Sequence, residues 1–265
     1  MNIRIAMTGV AAAVLTAGAF AAETKQFDAL TDWAKDGRLT FADGVFTAKG
    51  RRVDARTQPF AVDPSKTYQF SVEVRRTPGA PPSYCYVGNW SISATGARLL
   101  PEQVMVFAGT DSVLAADAKK GAKEIVIKRP AKWRDDFKKF YWGVVFDARA
   151  DLSDLPNMSY NQLMAAEADG ETIKLTLRNP LRQDYPAGTA TRFHSSGNGM
   201  YGGLSRKVLS EEWTTVTWKV KGIAPTGNPV TKWWHGTVQG AVRIIGNYDT
   251  ASSMEFRNAR LEVLD

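Results

Sequence analysis

The chain of 265 residues has few of the side chains that build covalent or metal cross-links: one cysteine and two histidines. Cys85 has no partner in the chain, which excludes an internal disulfide, an iron–sulfur cluster and a cysteine-based zinc site. His194 and His235 lie 41 positions apart, outside any H-x-x-x-H or H-E-x-x-H pattern, so a zinc site on one helix is excluded too. Stability must come from a hydrophobic core or a bound ion.

Motifs for the common catalytic chemistries are also missing. The sequence contains no G-x-S-x-G nucleophile elbow, no phosphate-binding loop and no dinucleotide fingerprint. Glycoside hydrolysis needs two carboxylates facing each other across a sugar, but Glu211 and Glu212 are adjacent and would diverge on a strand. Asp147, Asp151 and Asp154 trail an apolar strand and could meet, although a solvated acidic loop explains them equally well. The sequence therefore predicts no catalytic residue.

A long uncharged apolar run occurs once, over residues 5–20, after the basic Arg4. Residues 19–21 read Ala-Phe-Ala, the small-x-small cleavage pattern of a secretory signal peptide. A membrane anchor is the less favoured interpretation, because a span needs about 20 apolar residues and threonine and glycine interrupt this run. We predict a signal peptide over residues 1–21 and one soluble domain over residues 22–265, secreted or periplasmic, with no membrane span in the mature chain.

The charge balance is mildly basic, with 34 Lys and Arg against 27 Asp and Glu. Such a protein attracts polyanions such as acidic polysaccharide, teichoic acid, lipopolysaccharide or DNA. The basic residues are scattered, however, and the pairs Arg51-Arg52 and Lys138-Lys139 are typical of solvated surface. We predict no nucleic-acid partner.

Alternating apolar and polar residues dominate the mature region. Residues 68–74 alternate strictly, residues 39–47 form a hairpin pattern around Asp43-Gly44, and residues 140–146 are a continuous apolar run typical of a strand buried on both sides. Weak helical spacing at residues 160–168 favours one short helix. The sequence predicts an all-β protein, a jelly-roll-like antiparallel β-sandwich.

Aromatic residues are the chain's excess, with 12 Phe, 8 Tyr and 8 Trp. Trp and Tyr rings stack on the apolar faces of sugars. Adjacent residues of a regular strand point to opposite faces, so we expect at least one of Trp233 and Trp234 near the surface. One core and one rim tryptophan is the alternative to a ligand platform. Tyr84 and Tyr86 share a strand face, and we expect them to pack in the core or between sheets.

Residues 185–201 combine a Pro-Ala-Gly turn, a strand and a glycine-rich polar loop. Arg192 and His194 would share one face of that strand, and Asn198 and Tyr201 follow in the loop. The segment fits either a binding loop or a strand with a wide turn. The predicted ligand-binding residues are Trp233, Trp234, Arg192, His194, Asn198 and Tyr201.

Three stretches resemble a known family. They are the turn and Y-x-F-S strand of residues 63–74, the W-x-x-h-x-h strand of residues 212–218 and the closing strand of residues 254–263. The chain resembles secreted bacterial jelly-roll carbohydrate-binding modules of the galactose-binding-like superfamily, families 4, 9 and 16 among them. The resemblance implies a β-sandwich that binds a polysaccharide or cell-surface glycan.

The closing strand departs from that family pattern. Such modules often carry two adjacent acids there, one of which helps to hold a structural calcium ion, whereas this chain has Arg257 and Asn258. Calcium takes about six or more oxygen ligands and prefers charged ones. Asp43 and Glu262 are further oxygen donors, but nothing in the sequence fixes their proximity to Asn258. Structural calcium therefore stays an open alternative, and no metal ligand or other cofactor is predicted.

The sequence favours a non-catalytic carbohydrate-binding protein. A structural or adhesive surface or envelope protein without sugar binding is the first alternative. A polysaccharide lyase is the second, and it requires Arg192, His194 and Tyr201 to converge in one groove. The sequence does not specify the glycan or the oligomeric state.

Overall fold

The computed structural model describes residues 23–34, 36–133 and 141–265. The predicted signal peptide lies outside these residues. The strand pairs within the described residues are antiparallel throughout, which confirms the all-β prediction. The strands are β1 Glu23–Gln26, β2 Leu39–Ala42, β3 Val45–Gly50, β4 Val53–Arg56, β5 Phe60–Ala61, β6 Thr67–Arg76, β7 Tyr84–Ile92, β8 Ser112–Val113, β9 Glu124–Lys128, β10 Trp142–Phe146, β11 Asn161–Asp169, β12 Thr172–Leu177, β13 Ala190–Ser195, β14 Met200–Val208, β15 Thr214–Lys221, β16 Gln239–Gly246 and β17 Ser252–Leu264.

The strands form three sheets. Sheet I has the order β15-β6-β17-β3-β2, with β1 also paired to β17. Sheet II has the order β14-β7-β16-β4, with β5 also paired to β16. Sheet III has the order β8-β13-β10-β11-β12-β9 and is built from the chain between β7 and β14. Sheets I and II therefore combine strands from both ends of the described chain.

Sheets I and II pack face to face around the larger hydrophobic core. Alternate residues of β6, Phe70, Val72 and Val74, are buried there against inward residues of sheet II such as Val87 and Ile244. The period-two pattern of the sequence produces this arrangement, because every second side chain points to the core. The outer faces of the two sheets carry the polar positions of the same strands.

Sheet III encloses a second hydrophobic core. Its strands contribute Trp142, Val144, Phe193 and Ile173, all buried. The sheet curls until its ends meet, where Leu114 bridges Ile127 next to β8 and β9. Because the larger core draws on other residues, each core is lined by its own part of the chain.

Two local predictions have clear outcomes. The hairpin over residues 39–47 is confirmed as β2 and β3, with positive φ at Asp43 (51°) and Gly44 (75°) in the turn. The helix expected over residues 160–168 is wrong, because this segment is the strand β11 and pairs with both β10 and β12. Helices in the described part of the chain are one turn long, and none of them is long and apolar enough to cross a membrane.

Candidate functional site

The tryptophan pair predicted to bind a ligand lies in the larger core. Trp233 is 0% and Trp234 is 2% exposed, and Trp233 packs edge-on against Tyr68 and Phe70. The expectation that one ring reaches the surface is wrong, because Trp233 forms an isolated bridge to Ile223 and Trp234 lies outside any strand. Without the alternation of a regular strand, both side chains turn inward, so neither ring is placed to stack on a sugar.

Arg192 and His194 are also buried, at 1% and 0% exposure. They share one face of β13, as predicted, but that face is covered. Arg192 forms an ion pair with Asp154 (Nη2–Oδ2 2.7 Å) and its Nε donates to Nε2 of His194 (3.2 Å). Nδ1 of His194 donates to the carbonyl of Glu102 (2.9 Å). The two side chains are occupied inside the protein and are not placed to bind an external ligand.

Burial and this hydrogen bonding fix the charge of His194. The pKa of His194 is lowered to about 4, mainly because the side chain is removed from water. The adjacent Arg192 guanidinium contributes to this lowering, and the Glu102 carbonyl and Asp154 oppose it. The imidazole is therefore neutral at pH 7 and holds its proton on Nδ1.

Asn198 and Tyr201 remain at the surface but differ in their surroundings. Asn198 is exposed, and its backbone carbonyl accepts a hydrogen bond from Nδ2 of Asn228 (2.8 Å). Tyr201 is half-buried on the outer face of sheet II, where its hydroxyl accepts a hydrogen bond from Nη1 of Arg243 (3.1 Å). Of the six predicted residues, Tyr201 is the one that contacts other aromatic and arginine side chains on an outer sheet face.

A close approach of two strands positions Tyr201. A Cβ atom added at Gly88 of β7 would lie 2.0 Å from the carbonyl oxygen of Met200 and 2.6 Å from Cα of Tyr201. The pairing of β14 with β7 shifts register between Met200 and Leu204. Glycine at position 88 thus leaves room for the backbone of β14 beside the outer face, and this contact places Tyr201 there.

Tyr201 belongs to a set of side chains that we call the arginine–aromatic face. These residues lie on or beside the outer face of sheet II, and each ring contacts a guanidinium or another ring of the set. Within the set, Tyr86 contacts both Tyr201 (centroids 4.8 Å apart) and Tyr248 (4.9 Å). The face comprises Tyr84, Tyr86, Trp90, Tyr201, Tyr248, Arg52, Arg56, Arg98, Arg206 and Arg243.

Trp90 lies at one end of this face and is surrounded by three arginines. The guanidinium carbons lie 4.6 Å (Arg56), 4.9 Å (Arg98) and 5.0 Å (Arg243) from the centroid of the indole. The Nε1 atom of Trp90 is buried and has no hydrogen-bond partner among the described residues. A cavity of about 290 Å³ adjoins the ring and is lined by Arg56, Arg98, Gln58 and Ala241, among others. The cluster offers several N–H donors to a ligand.

Sheet I carries a similar ring on its own outer side, but with its charges neutralised. Trp213 lies between Arg75 (4.5 Å from the centroid) and Arg257 (4.2 Å). Arg75 forms an ion pair with Glu255 (2.6 Å), and Arg257 forms one with Glu73 (2.8 Å). Trp213 therefore serves as an internal comparison for Trp90.

The geometry does not assemble the lyase set. Arg192 and His194 are buried around Asp154, whereas Tyr201 contacts Arg243 and Tyr86 on sheet II. Among the described residues, no three His, Cys, Asp or Glu side chains are grouped to hold a metal ion. Asn258, considered for calcium, donates from its amide Nδ2 to Glu73 (2.8 Å). Glu262 accepts from the amide of Gln69 (2.6 Å).

The sequence contained a signal for this face. Tyr84, Tyr86 and Trp90 all occupy even positions of β7, and Cys85, Val87 and Asn89 occupy the odd positions that are buried. The expectation that Tyr84 and Tyr86 pack in the core is wrong, because the odd residues fill the core and both tyrosines are half-buried on the outer side. The arginines come from β4, β14, β16 and loops distant in sequence, so no local motif joins them.

Comparison of the chain with models of known protein families and with curated protein sequences finds no match.

Proposed function

We propose that this chain is an exported, non-catalytic protein that binds a carbohydrate at the arginine–aromatic face. The observation that carries the proposal is the continuous group of half-buried rings and guanidiniums on one outer sheet face, next to a cavity. Sugar rings stack on aromatic rings, and sugar hydroxyls accept hydrogen bonds from N–H donors. The resemblance of residues 63–74, 212–218 and 254–263 to jelly-roll carbohydrate-binding modules supports the same function, and export rests on the predicted signal peptide.

The contacts within the face indicate which of its residues stack on a sugar and which hold other side chains in place. Tyr86, Tyr201 and Tyr248 form a contiguous aromatic surface, with Tyr86 in the middle. Arg243 is held by a bidentate ion pair to Asp54 (2.8 and 2.5 Å) and fixes the Tyr201 hydroxyl. Because these side chains are already ordered, little side-chain entropy is lost when a ligand binds.

The test is affinity electrophoresis against neutral and acidic polysaccharides, with wild type, Trp90→Ala, Tyr201→Ala and Trp213→Ala. Loss of one ring of a binding face should weaken the affinity about tenfold or more, since stacking and hydrogen bonds of this kind contribute roughly 1–3 kcal/mol. Trp213→Ala removes an equivalent ring from sheet I and should leave the affinity unchanged.

Circular dichroism of each variant verifies folding. The proposal is overturned if wild type binds no polysaccharide, or if it binds one and Trp90→Ala and Tyr201→Ala retain its full affinity. Release of unsaturated sugar products, detected by their ultraviolet absorbance, would instead establish a lyase.

A further inference from the structure

Two of the three arginines around Trp90 have no counter-charge in the described part of the chain. In residues 23–34, 36–133 and 141–265, no carboxylate lies within 4.0 Å of the guanidinium of Arg56 or Arg98, and neither side chain has a hydrogen-bond partner there. Both stack on Trp90. Asp54 is engaged by Arg243, so it is not available to neutralise them.

Burial makes this arrangement costly for Arg98. The side chain is half-buried, and removal from water together with the nearby Arg243 lowers the pKa of Arg98 from its ordinary value. Tyr201, Asp54 and Glu102 oppose this lowering, and neither carboxylate lies within ion-pair distance of Arg98. Positive charges gathered with too few negative ones are stabilised when an anion binds between them.

The space between the charges is large enough to admit an anionic substituent. The cavity of about 290 Å³ is lined by Arg56, Arg98 and Trp90, with Gln58 adding an amide. A guanidinium donates two parallel N–H groups to two oxygens of one oxyanion, a geometry that a neutral hydroxyl does not match. Trp90 has its unpartnered Nε1 in the same cluster.

We propose that Arg56, Arg98 and Trp90 form a subsite for an oxyanion substituent, a carboxylate or a sulfate ester, of the bound glycan, so that the protein selects acidic polysaccharides. This inference rests on the proposed carbohydrate binding and specifies its ligand class. The guanidiniums would donate to the oxyanion from the cavity walls while the tyrosines of the face contact the neighbouring sugar rings.

The test uses matched polymers: polygalacturonate and alginate with their carboxyl-reduced forms, and a sulfated galactan with its desulfated form. Affinity electrophoresis is run at 0.15 M salt for wild type, Arg98→Gln, Arg56→Gln, Trp90→Ala and Lys219→Gln, and DNA is included as a polyanion without the polysaccharide structure. Lys219→Gln removes one exposed charge from sheet I and is the control for net charge. At least one charged polymer should bind about tenfold or more tightly than its neutral form, and Arg98→Gln should abolish most of that difference. The polymer type distinguishes carboxylate from sulfate.

Three outcomes overturn the inference. If charged and neutral forms bind equally and Trp90→Ala weakens both, the subsite is wrong although carbohydrate binding stands. If Lys219→Gln weakens binding as much as Arg98→Gln, or DNA binds as tightly as the polysaccharides, general charge attraction explains the result. If no polymer binds, carbohydrate binding itself fails.

Discussion

At the scale of single residues, the most constrained group is the buried set of Arg192, His194 and Asp154. His194 accepts from Arg192 at Nε2 and donates to Glu102 from Nδ1, so its two ring nitrogens have different roles. A second proton would place an N–H opposite the Arg192 guanidinium. The set is therefore compatible only with neutral histidine, which makes its stability depend on pH.

Acid should destabilise the protein through His194. Its pKa is about 4 in the folded chain and about 6.5 when unfolded, so the unfolded chain binds the extra proton between these values. The contribution of His194 is fully present above pH 6.5 and is lost as the pH falls to 4, an expected loss of about 3 kcal/mol in the free energy of unfolding. Urea unfolding at pH 7, 6, 5 and 4 measures it.

The variant that tests this assignment is His194→Gln, compared with wild type. Glutamine at position 194 can donate and accept but does not titrate, so the pH dependence between 6.5 and 4 should become shallower. Equal slopes for wild type and His194→Gln would contradict the assignment. Although burial opposes the shift, hydrogen bonds from Asn157 and Arg149 and the charge of Arg192 hold the pKa of Asp154 below its ordinary value of 3.8. Protonation of Asp154, which would break its ion pair with Arg192, therefore occurs at a pH below 3.8.

Arg192 and His194 also show which structural features a residue pattern predicts and which it does not. Their spacing predicted correctly that both lie on one strand face. Which face meets solvent depends on the chain that covers it, here Glu102 in the one-turn helix Pro101–Val104 and Asp154 in a distant loop. The alternation of residues on one strand does not predict which distant segments bury that face.

At the scale of elements, the key contact is β14 against β7. The two strands are separated by the whole of sheet III in the sequence, yet they are neighbours in sheet II. The close approach at Gly88 positions Tyr201 on the arginine–aromatic face. The backbone contact at Gly88 thus determines the position of the Tyr201 side chain in the proposed binding face.

Gly88→Ala should disturb this contact. The added methyl group would meet backbone atoms of Met200 and Tyr201 at 2.0 and 2.6 Å, so β14 must shift. We expect a loss of about 1–3 kcal/mol in the free energy of unfolding, as for other overpacked sites, together with weaker polysaccharide binding. Gly37→Ala, where a Cβ meets nothing within 4 Å, is the control and should change stability by less than about 0.5 kcal/mol. Equal stability of the two variants in urea unfolding would refute this role for Gly88.

Element prediction succeeded where apolar and polar residues alternated. β6 and β7 were recognisable because one face of each is buried. β11 was mistaken for a helix because its apolar residues are followed by small and charged residues that break the alternation. Trp233 and Trp234 were misassigned because their segment is irregular, and the two-residue period does not apply to it.

At the scale of the whole molecule, the fold class was predictable and the second core was not. β9 and β12 of sheet III alternate in the same way as strands of sheets I and II, so nothing in their pattern indicates that sheet III encloses its own core. One domain over residues 22–265 stays a prediction. The outer faces of sheets I and II differ in charge pairing, which comes from residues far apart in sequence: Arg75 and Arg257 are neutralised by glutamates, Arg56 and Arg98 are not.

The central claim is that a glycan covers the arginine–aromatic face, and arginine footprinting tests it most directly. The protein is treated with phenylglyoxal with and without the polysaccharide that retards it most, and modified peptides are quantified by mass spectrometry. Arg52 and Arg56 are exposed on the face, and Arg182 is exposed on the chain of sheet III. The account predicts that the polysaccharide protects Arg52 and Arg56 and leaves Arg182 reactive. Unchanged modification of Arg52 and Arg56 at saturating polysaccharide would contradict it.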